Sequence, residues 1–220
     1  MAITLDIQND IAHLAVDDGK ANALGFALIE EFHDNLAKAE QDAKAILISG
    51  RAGRFCAGFD LSVMRESPDK AGELVNKGGH LLLRLFENQL PVVIACTGHA
   101  LAAGGLMLLS ADTRIGTQGD FKIGLNETAI GMVLPQFGIE LPKARLAQDH
   151  FTSAVVQGKM HSPDEAVTAG FLDLTVAPET LLETSLAAAG QLSQMPQHSY
   201  HGNKLLIRKQ AISAIRESLV

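Results

Sequence analysis

The 220-residue chain is long enough for one α/β domain, and its 47% hydrophobic residues suffice for a core without metals or disulfides. The same apolar content excludes an intrinsically disordered chain. A net charge of −7 argues against nucleic acid and anionic membrane surfaces as partners, because both select lysine and arginine. Cys56 and Cys96 do not make a secreted disulfide framework, so we expect a reducing, cytoplasmic location.

No segment of the sequence is typical of targeting or of membrane insertion. Residues 1–10 contain neither a basic region nor a long apolar run, so we expect no signal peptide. The most apolar stretch, residues 90–109, is interrupted by Pro91 and by glycines. We interpret it as a buried strand followed by the start of a helix, and we expect no membrane partner.

Strand patterns and helix patterns alternate along the chain. In order, we predict a hairpin at 3–7 and 11–16, a helix at 23–39, a strand at 45–49, a glycine-rich loop at 55–60, a helical stretch to about 87, a strand at 91–96, a small-residue helix start at 100–109, a strand at 113–116, a strand beginning at 120–123, and two final helices. Ser162, Pro163 and the acidic pair that follows also predict a helix start. Strands separated by helices predict repeated, right-handed βαβ units and an α/β fold.

Several common catalytic motifs are absent from the sequence. It contains no P-loop, no G-x-G-x-x-G fingerprint, no G-x-S-x-G elbow and no H-E-x-x-H helix. His198 and His201 lie three residues apart, but no cysteine or carboxylate cluster accompanies them. We therefore interpret the two histidines as part of a polar loop and expect no metal site.

Two loops rich in small residues each follow a predicted strand. The first is A-G-F-D-L at 57–61, and the second is G-H-A-L-A-A-G-G at 98–105. Small residues let a backbone approach a ligand closely, and unpaired N–H groups at a helix start carry partial positive charge. Two such N–H groups converging on one point would form an oxyanion hole. From these residues alone, close helix–sheet packing without a ligand is an equally good interpretation.

These loops resemble those of the crotonase (enoyl-CoA hydratase/isomerase) superfamily, and the resemblance runs in register from residue 3 to about 176. Its motifs are N-A-L at 22–24, F-C-A-G-F-D-L at 55–61, G-H-A-L-A-A-G-G at 98–105, S-A-D at 110–112, and the segments 162–166 and 170–173. It implies a crotonase (ClpP-like) fold in which repeated ββα units form a spiral core. It also implies a core domain at 1–175 and a C-terminal helical region at 176–220 that serves in trimerisation or as a lid. The implied assembly is a homotrimer or a dimer of trimers.

The resemblance implies where an acyl-CoA thioester substrate would bind. Its carbonyl would accept hydrogen bonds from the backbone N–H groups of Phe59 and Ala103, the latter at a position where most relatives have glycine. The implied residues lining the substrate and CoA are Ala21, Ala23, Leu24, Ala57, Gly58, Asp60, Leu61, Gly104, Leu106 and Asn126. Asp60 is expected to cap the following helix and to have no chemical role. No separate cofactor is implied, because CoA is carried as part of the substrate.

Acid positions separate the reactions of the superfamily, and the resemblance implies a single acid here. Two of the three positions hold Leu106 and Pro135, and the remaining one holds Glu127. The segment I-G-L-N-E-T at 123–128 resembles the active-site segment of mitochondrial-type Δ3,Δ2-enoyl-CoA isomerases. It implies Δ3 to Δ2 isomerisation by one glutamate, whose pKa we expect burial to raise.

Two other functions stay open on the sequence alone. One is an enoyl-CoA hydratase or another crotonase-type acyl-CoA hydrolase or lyase, because a fold does not fix a reaction. The other is a non-catalytic, CoA-binding paralogue. An alternative for Glu127 itself is a surface carboxylate at a helix start, where the helix dipole favours acids.

A cluster of basic residues lies near the C-terminus. We interpret Lys204, Arg208 and Lys209 as a solvated helix face. Contact with the phosphates of CoA is the alternative. Both interpretations place these three side chains at the protein surface.

Overall fold

The strands of the protein form two sheets. The computed structural model describes residues 1–219, and its strands are β1 (Ile3–Gln8), β2 (Ile11–Val16), β3 (Ala45–Ser49), β4 (Gly53–Cys56), β5 (Val92–Cys96), β6 (Gly98–Leu101), β7 (Thr113–Thr117), β8 (Ile123–Gly124) and β9 (Leu174–Val176). The larger sheet has six strands in the order β1-β2-β3-β5-β7-β9, and the smaller has three in the order β4-β6-β8. Among the described strands, β1 and β2 form the predicted antiparallel hairpin, and every other pair is parallel.

Helices follow the strands and cover the sheets. They are α1 (Phe26–Asp42), α2 (Leu61–Met64), α3 (Pro68–Phe86), α4 (Ala103–Ser110), α5 (Gln136–Arg145), α6 (Gln148–Val155), α7 (Pro163–Ala169), α8 (Leu181–Ser193) and α9 (Gln197–Ser218). Short 3₁₀ turns span Thr128–Ile130 and Pro178–Thr180. Ser162 caps α7 in a capping box, as predicted. Within residues 1–219, none of these helices is long and apolar enough to cross a membrane.

The chain builds both sheets by repeating a strand–strand–helix unit. β3 and β4 are followed by α2 and α3, β5 and β6 by α4, and β7 and β8 by α5. In each unit the first strand joins the larger sheet and the second joins the smaller one. The predicted ββα repeat is therefore confirmed, as is the α/β class. The boundary between a core at 1–175 and a C-terminal region at 176–220 stays a prediction.

The central strands β3 and β5 are buried on both faces, which explains their continuous apolar sequences. On one face, Ile46 and Ile48 belong to the main core, to which buried side chains of α1, α3 and α4 also contribute. On the other face, Leu47 and Val93 pack with Leu181 of α8 in a smaller cluster. Because the alternate side chains of a strand point to opposite faces, each face needs its own helical cover.

Three local differences separate the predicted elements from the observed ones. The helix predicted at 23–39 spans Phe26–Asp42, because Leu24 is held in a parallel bridge with Phe59. β4 and β6 lie where we predicted a loop and a helix start, and they pair with each other although neither has a long apolar run. The strand predicted from residue 120 is limited to β8.

The interpretation of His198 and His201 as loop residues is wrong. Both lie in the first turns of α9, which begins directly after Pro196. In the part of the chain that the structure describes, no three or more His, Cys, Asp or Glu side chains are grouped so that they would hold a metal ion.

The interpretation of the basic C-terminal cluster as a surface is wrong for two of its members. Lys204 and Arg208 are buried, with Lys204 Nζ 2.6 Å from Oδ2 of Asp112 and Arg208 Nη2 2.7 Å from Oδ1 of Asp112. Lys204 also donates to the backbone carbonyl of Asn88 at 2.8 Å. Buried cations are tolerated when they are paired and hydrogen-bonded, and these contacts fasten α9 to the sheet. Lys209 is exposed, as predicted.

Candidate active site

The first small-residue loop presents the backbone N–H of Phe59. Leu24 N donates to the carbonyl oxygen of Gly58 at 2.8 Å, and the carbonyl oxygen of Leu24 accepts from Asp60 N at 3.0 Å. The two hydrogen bonds form a parallel bridge, and they use the residues immediately before and after Phe59. The N–H of Phe59 therefore points away from Leu24, and it has no backbone acceptor among residues 1–219. It is a free donor at the place where we predicted one half of an oxyanion hole.

Asn22 ties this loop to the N-terminal hairpin. It is 1% exposed, and its side-chain nitrogen donates to the carbonyls of Val16 at 3.0 Å and Phe55 at 3.1 Å. Ala57 N also donates to the carbonyl of Ala21, at 3.1 Å. Residue type and spacing do not indicate this structural role of Asn22, because only the fold shows which carbonyls its amide reaches.

The ring of Phe59 packs against α3 at Gly78. A β-carbon built on Gly78 would collide with Cε1 of the ring and would lie 2.5 Å from its Cζ. Any side chain at this point of α3 would therefore require the half-buried ring to shift. Gly78 positions the residue that supplies the first free N–H, and no local sequence pattern indicates this contact.

The second small-residue loop presents the backbone N–H of Ala103. Ala103 is the first residue of α4, so its N–H has no acceptor within the helix. Its helical backbone suits a β-carbon, so alanine is compatible with the role that we predicted for this position. The preceding Ala102 has φ 51° and ψ −120°, a conformation that costs an L-residue about 1–3 kcal/mol. This strained residue turns the chain from β6 into α4.

Glycines bring the two loops together. A β-carbon built on Gly58 would lie 3.4 Å from the backbone nitrogen of Ala103, and one built on Gly104 would collide with the carbonyl oxygen of Cys56. Because Phe59 directly follows Gly58, the two free N–H groups lie on neighbouring backbone segments. Two donors on adjoining segments are what an oxyanion hole requires. Gly104 itself faces the first loop rather than open space.

Glu127 lies on the segment that follows β8. Gly124 pairs with Leu101 at the end of β6, and its carbonyl oxygen accepts from Ala102 N at 3.0 Å. Three residues of chain span at most about 11 Å, so the Cα of Glu127 lies within that distance of the Cα of Gly124. The pairing of β6 with β8 thus brings the predicted acid close to the second loop.

The carboxyl group of Glu127 is buried. The residue is 7% exposed, and its Oε2 has no hydrogen-bond partner among the described residues. Burial raises the pKa of Glu127 to about 7, in the predicted direction. The alternative interpretation of Glu127 as a surface carboxylate is therefore wrong, although the residue does precede the 3₁₀ turn at Thr128–Ile130.

The other two acid positions of the superfamily hold apolar side chains. Leu106 is buried in α4, and Pro135 directly precedes α5. Asn126, beside Glu127, is half-buried, and its Oδ1 also lacks a partner within residues 1–219. Buried oxygen atoms normally have hydrogen-bond partners, so two adjacent residues without them indicate a place for a polar ligand.

The residues predicted to line CoA fall into two groups. Ala21, Ala23 and Ala57 are partly exposed, so a ligand can contact them. Leu24 is 1% exposed and its side chain lies in the core, where its backbone orders the first loop. Asp60 caps α2 with its side chain, as predicted.

Apolar side chains are exposed at the end of the first loop and after Glu127. Leu61, at the start of α2, is 49% exposed. Ile130 and Val133, which follow Glu127 in the chain, are 49% and 93% exposed. Exposed apolar groups beside buried, unpartnered oxygen atoms suit a ligand with both a polar head and an apolar portion.

Comparisons with known proteins show to which family the chain belongs. The family model described as enoyl-CoA hydratase/isomerase matches residues 6–217. Human mitochondrial enoyl-CoA delta isomerase 1 is 30% identical over 210 residues, covering 93% of this chain and 70% of the human protein.

Solved structures of both reaction types share the fold. The crystal structure of human mitochondrial delta3-delta2-enoyl-CoA isomerase matches with a TM-score of 0.92 and 28% identity, over 97% of this chain and 85% of that chain. The enoyl-CoA hydratase EchA3 of Mycobacterium ulcerans matches with a TM-score of 0.96 and 33% identity, over 100% of this chain and 96% of that chain. The chain therefore belongs to the enoyl-CoA hydratase/isomerase family of the crotonase superfamily and is an acyl-CoA enzyme with the crotonase fold.

Proposed function

We propose that this protein is an enoyl-CoA isomerase, which moves a double bond from Δ3 to Δ2 of an acyl-CoA thioester. The observation that carries the proposal is the buried carboxyl group of Glu127, which has no second acid at the other superfamily positions. Its carboxyl group is buried, has a pKa of about 7, and keeps one oxygen without a partner among the described residues. Leu106 and Pro135 leave Glu127 as the one acid at the three superfamily positions. The human relatives that are named for this reaction support the proposal.

The proposed reaction is a proton transfer within one substrate. The Glu127 carboxylate removes a proton from C2 of the 3-enoyl thioester, and the negative charge moves onto the thioester oxygen as a dienolate. The N–H groups of Phe59 and Ala103 donate to that oxygen, and each donor of this kind contributes about 3 kcal/mol of transition-state stabilisation. Protonated Glu127 then returns the proton to C4, which leaves the double bond between C2 and C3. One group takes and returns the proton, so no second acid is needed.

A pKa near 7 suits both halves of this transfer. Near neutral pH the carboxylate and carboxylic acid forms of Glu127 are both populated, so the group accepts and releases a proton readily. We expect kcat/KM for a 3-enoyl thioester to rise with pH through about 7 and then to level off, because only the carboxylate accepts the C2 proton. A flat profile across this range contradicts the role of Glu127.

Hydration makes different demands on the site. Water must lose a proton and add at C3 while C2 gains one, which is easier with two carboxylates. Leu106 supplies no carboxylate at the position where hydratases of the superfamily have their second glutamate. The Mycobacterium ulcerans hydratase, at 33% identity, makes hydration the second function to test.

The deciding experiment uses trans-3-hexenoyl-CoA and, separately, trans-2-hexenoyl-CoA, with products identified by chromatography and NMR. The unaltered protein is compared with Glu127→Gln and with Glu179→Gln, a control at an exposed acid. We expect the unaltered protein and the control to convert the 3-enoyl thioester to the 2-enoyl thioester. Glu127→Gln should reduce the rate by about 10²–10⁴, the usual contribution of a general base.

Two other results would contradict the proposal. Addition of water to the 2-enoyl thioester without isomerisation would mean that Glu127 supports hydration alone. Neither reaction, with CoA thioesters still bound, would favour another acyl-CoA reaction or the non-catalytic alternative.

We also propose that the protein assembles as a homotrimer or a dimer of trimers. Leu206 and Ile207 are adjacent on α9 and are 71% and 82% exposed. These two exposed apolar side chains lie in the region for which the resemblance implies trimerisation, and burial in an interface would remove them from water. Light scattering should give three or six times the 23.4 kDa chain mass, and the double variant Leu206→Glu, Ile207→Glu should lower it. A monomeric mass for the unaltered protein contradicts the proposal.

A further inference from the structure

Gly105 lies where α4 meets the chain segment that carries Glu127. A β-carbon built on Gly105 would lie 2.9 Å from the carbonyl oxygen of Gly124. That separation is shorter than an ordinary van der Waals contact, so an added methyl group would push the two segments apart. The preceding Gly104 faces the first loop instead, at the carbonyl oxygen of Cys56. The two successive glycines of α4 therefore pack against different parts of the site.

The same carbonyl oxygen of Gly124 joins the acid segment to the second loop. It accepts a hydrogen bond from the backbone nitrogen of Ala102 at 3.0 Å, and Ala102 directly precedes Ala103, the second proposed oxyanion donor. Glu127 follows Gly124 by three residues. One peptide group thus links the donor to the acid, and a displacement of this group changes the separation between them.

Gly124 is also held by a segment later in the chain. Its neighbour Ile123 exchanges two backbone hydrogen bonds with His161, both of 2.9 Å. A β-carbon built on Gly124 would lie 3.0 Å from the carbonyl oxygen of Lys159, and the φ of 152° at Gly124 is one that L side chains rarely adopt. A side chain at position 105 would therefore meet a backbone that other contacts already hold.

Of the two segments that meet at this contact, α4 has less freedom to move. All eight of its residues are buried, whereas residues 128–131, which directly follow Glu127, are exposed. A helix that is packed on every side has no free volume into which it can shift. A side chain at position 105 would therefore displace the segment that carries Glu127 more than it would displace α4.

We propose that Gly105 is a positioning residue, which sets the distance between Glu127 and the oxyanion donors at Phe59 and Ala103. The inference rests on the proposed function, because it takes Glu127 as the group that moves the substrate's proton. A misplacement of about 1 Å at a catalytic group costs about 10²-fold in rate. The two donors lie on α4 and the first loop, so a change at Gly105 that moves the acid should leave thioester binding nearly unaltered.

Kinetics and binding together separate this role from a general loss of structure. The unaltered protein, Gly105→Ala and the control Gly190→Ala are assayed with trans-3-hexenoyl-CoA, and calorimetry gives their dissociation constants for saturated hexanoyl-CoA. Gly190 is a half-buried glycine of α8, where an added β-carbon would meet Cδ1 of Ile11 at 3.8 Å, an ordinary contact. Gly105→Ala should lower kcat about 10- to 100-fold and keep the dissociation constant within about twofold. The control should match the unaltered protein in both quantities.

The titration of the Glu127 carboxyl group gives a readout that does not require turnover. NMR of protein with ¹³C-labelled glutamate side chains follows each carboxyl carbon with pH, and Glu127→Gln identifies the signal of Glu127. Burial raises the pKa of this group to about 7. Displacement toward the exposed residues that follow would open it to water, so its pKa in Gly105→Ala should move toward the ordinary value of 4.5. The pKa in Gly190→Ala should stay near 7.

The outcomes distinguish this inference from the proposed function. In an active enzyme, either a normal kcat or an unshifted Glu127 titration in Gly105→Ala overturns the inference. Absence of isomerisation by the unaltered protein overturns the isomerase proposal, and the titration then decides alone whether Gly105 positions the carboxyl group. If Gly105→Ala does not fold, Gly124→Ala changes the same contact from the other segment, with the same expected shift and the same contrary result.

Discussion

A β-carbon built on Gly58 would lie 2.9 Å from the β-carbon of Ala102. The two loops therefore pack so closely that glycine is the residue that fits at position 58. Gly58 has φ 97°, and Ala102 has φ 51°, so both residues adopt backbone conformations that L side chains rarely take. Each directly precedes a free N–H donor, at Phe59 and Ala103. The close contact between the loops therefore sets how the two donors converge.

Replacing Ala102 by glycine should stabilise the protein by about 1 kcal/mol. Glycine removes backbone strain of about 1–3 kcal/mol and adds an entropic cost of about 0.5–1 kcal/mol. The control Ala103→Gly changes a helical residue without such strain, and it should destabilise the protein by about 0.5–1 kcal/mol. Urea unfolding at equal protein concentration compares the variants. Equal destabilisation by both would show that Ala102 is not strained.

Gly78→Ala should destabilise the protein and lower kcat, because the new β-carbon collides with the ring of Phe59 and so disturbs the residue that we propose as the first oxyanion donor. The matched control is Gly202→Ala on α9, where an added β-carbon meets no atom within 4 Å. That control should gain about 0.5–1 kcal/mol from the helix propensity of alanine, with activity unchanged. Unfolding curves and steady-state rates measure both effects. A Gly78→Ala enzyme with normal kcat would falsify the positioning role of Gly78.

Glu127→Gln should stabilise the protein at alkaline pH but not at acid pH. The folded-state pKa is about 7 against an ordinary value of 4.5, so between these values the folded protein holds a proton that the unfolded chain has lost. Stability therefore falls as pH rises through this window, by up to about 3 kcal/mol, and glutamine avoids the penalty. The advantage of Glu127→Gln should be near zero at about pH 4.5 and largest near pH 8.

Urea unfolding of the unaltered protein, Glu127→Gln and Glu179→Gln across this pH range measures the effect. The Glu179→Gln control changes an exposed acid and should show a small difference that does not grow with pH. An advantage of Glu127→Gln that is independent of pH would mean that the glutamate titrates normally.

Asp112→Asn should destabilise the protein by about 3–5 kcal/mol, because it leaves the buried cations of Lys204 and Arg208 without their carboxylate. The control Asp10→Asn removes an ion pair with Lys44 whose side chains are about half exposed. That change should cost about 0–1 kcal/mol, because solvent screens an exposed pair. Thermal or urea unfolding compares the two. Similar losses in both variants would mean that the buried cluster contributes no more than a surface pair.

Hydrophobic patterning was sufficient to predict the elements that form the larger sheet. Continuous apolar runs at 45–48 and 91–96 predicted buried parallel strands, and both strands lie at the centre of that sheet. The helix start at Ser162 was also predicted correctly, because the residues that form its capping box lie within a few positions of each other. Glu127 was found through a motif, and its burial could not be derived from the residues beside it.

The smaller sheet could not be predicted from the sequence, for a physical reason. β4, β6 and β8 are two to four residues long and pair only with one another, so none of them has a local apolar pattern that predicts a strand. Leu24 was predicted in a helix because its spacing fits one, but its backbone bonds to the first loop instead. Pairing between distant segments overrides local propensity when it satisfies backbone donors and acceptors.

The sequence by itself determined the α/β class and the two small-residue loops, because these depend on residue type and spacing along the chain, and its resemblance to a known family indicated Glu127 as the one candidate acid. Tertiary structure alone decided that Lys204 and Arg208 are buried, since their shared partner Asp112 lies 96 residues from Arg208. It also decided that the ring of Phe59 packs against Gly78 and that Leu219 packs against Gly79. Contacts between residues far apart in the chain depend on how the elements pack, and a local sequence pattern does not predict that packing.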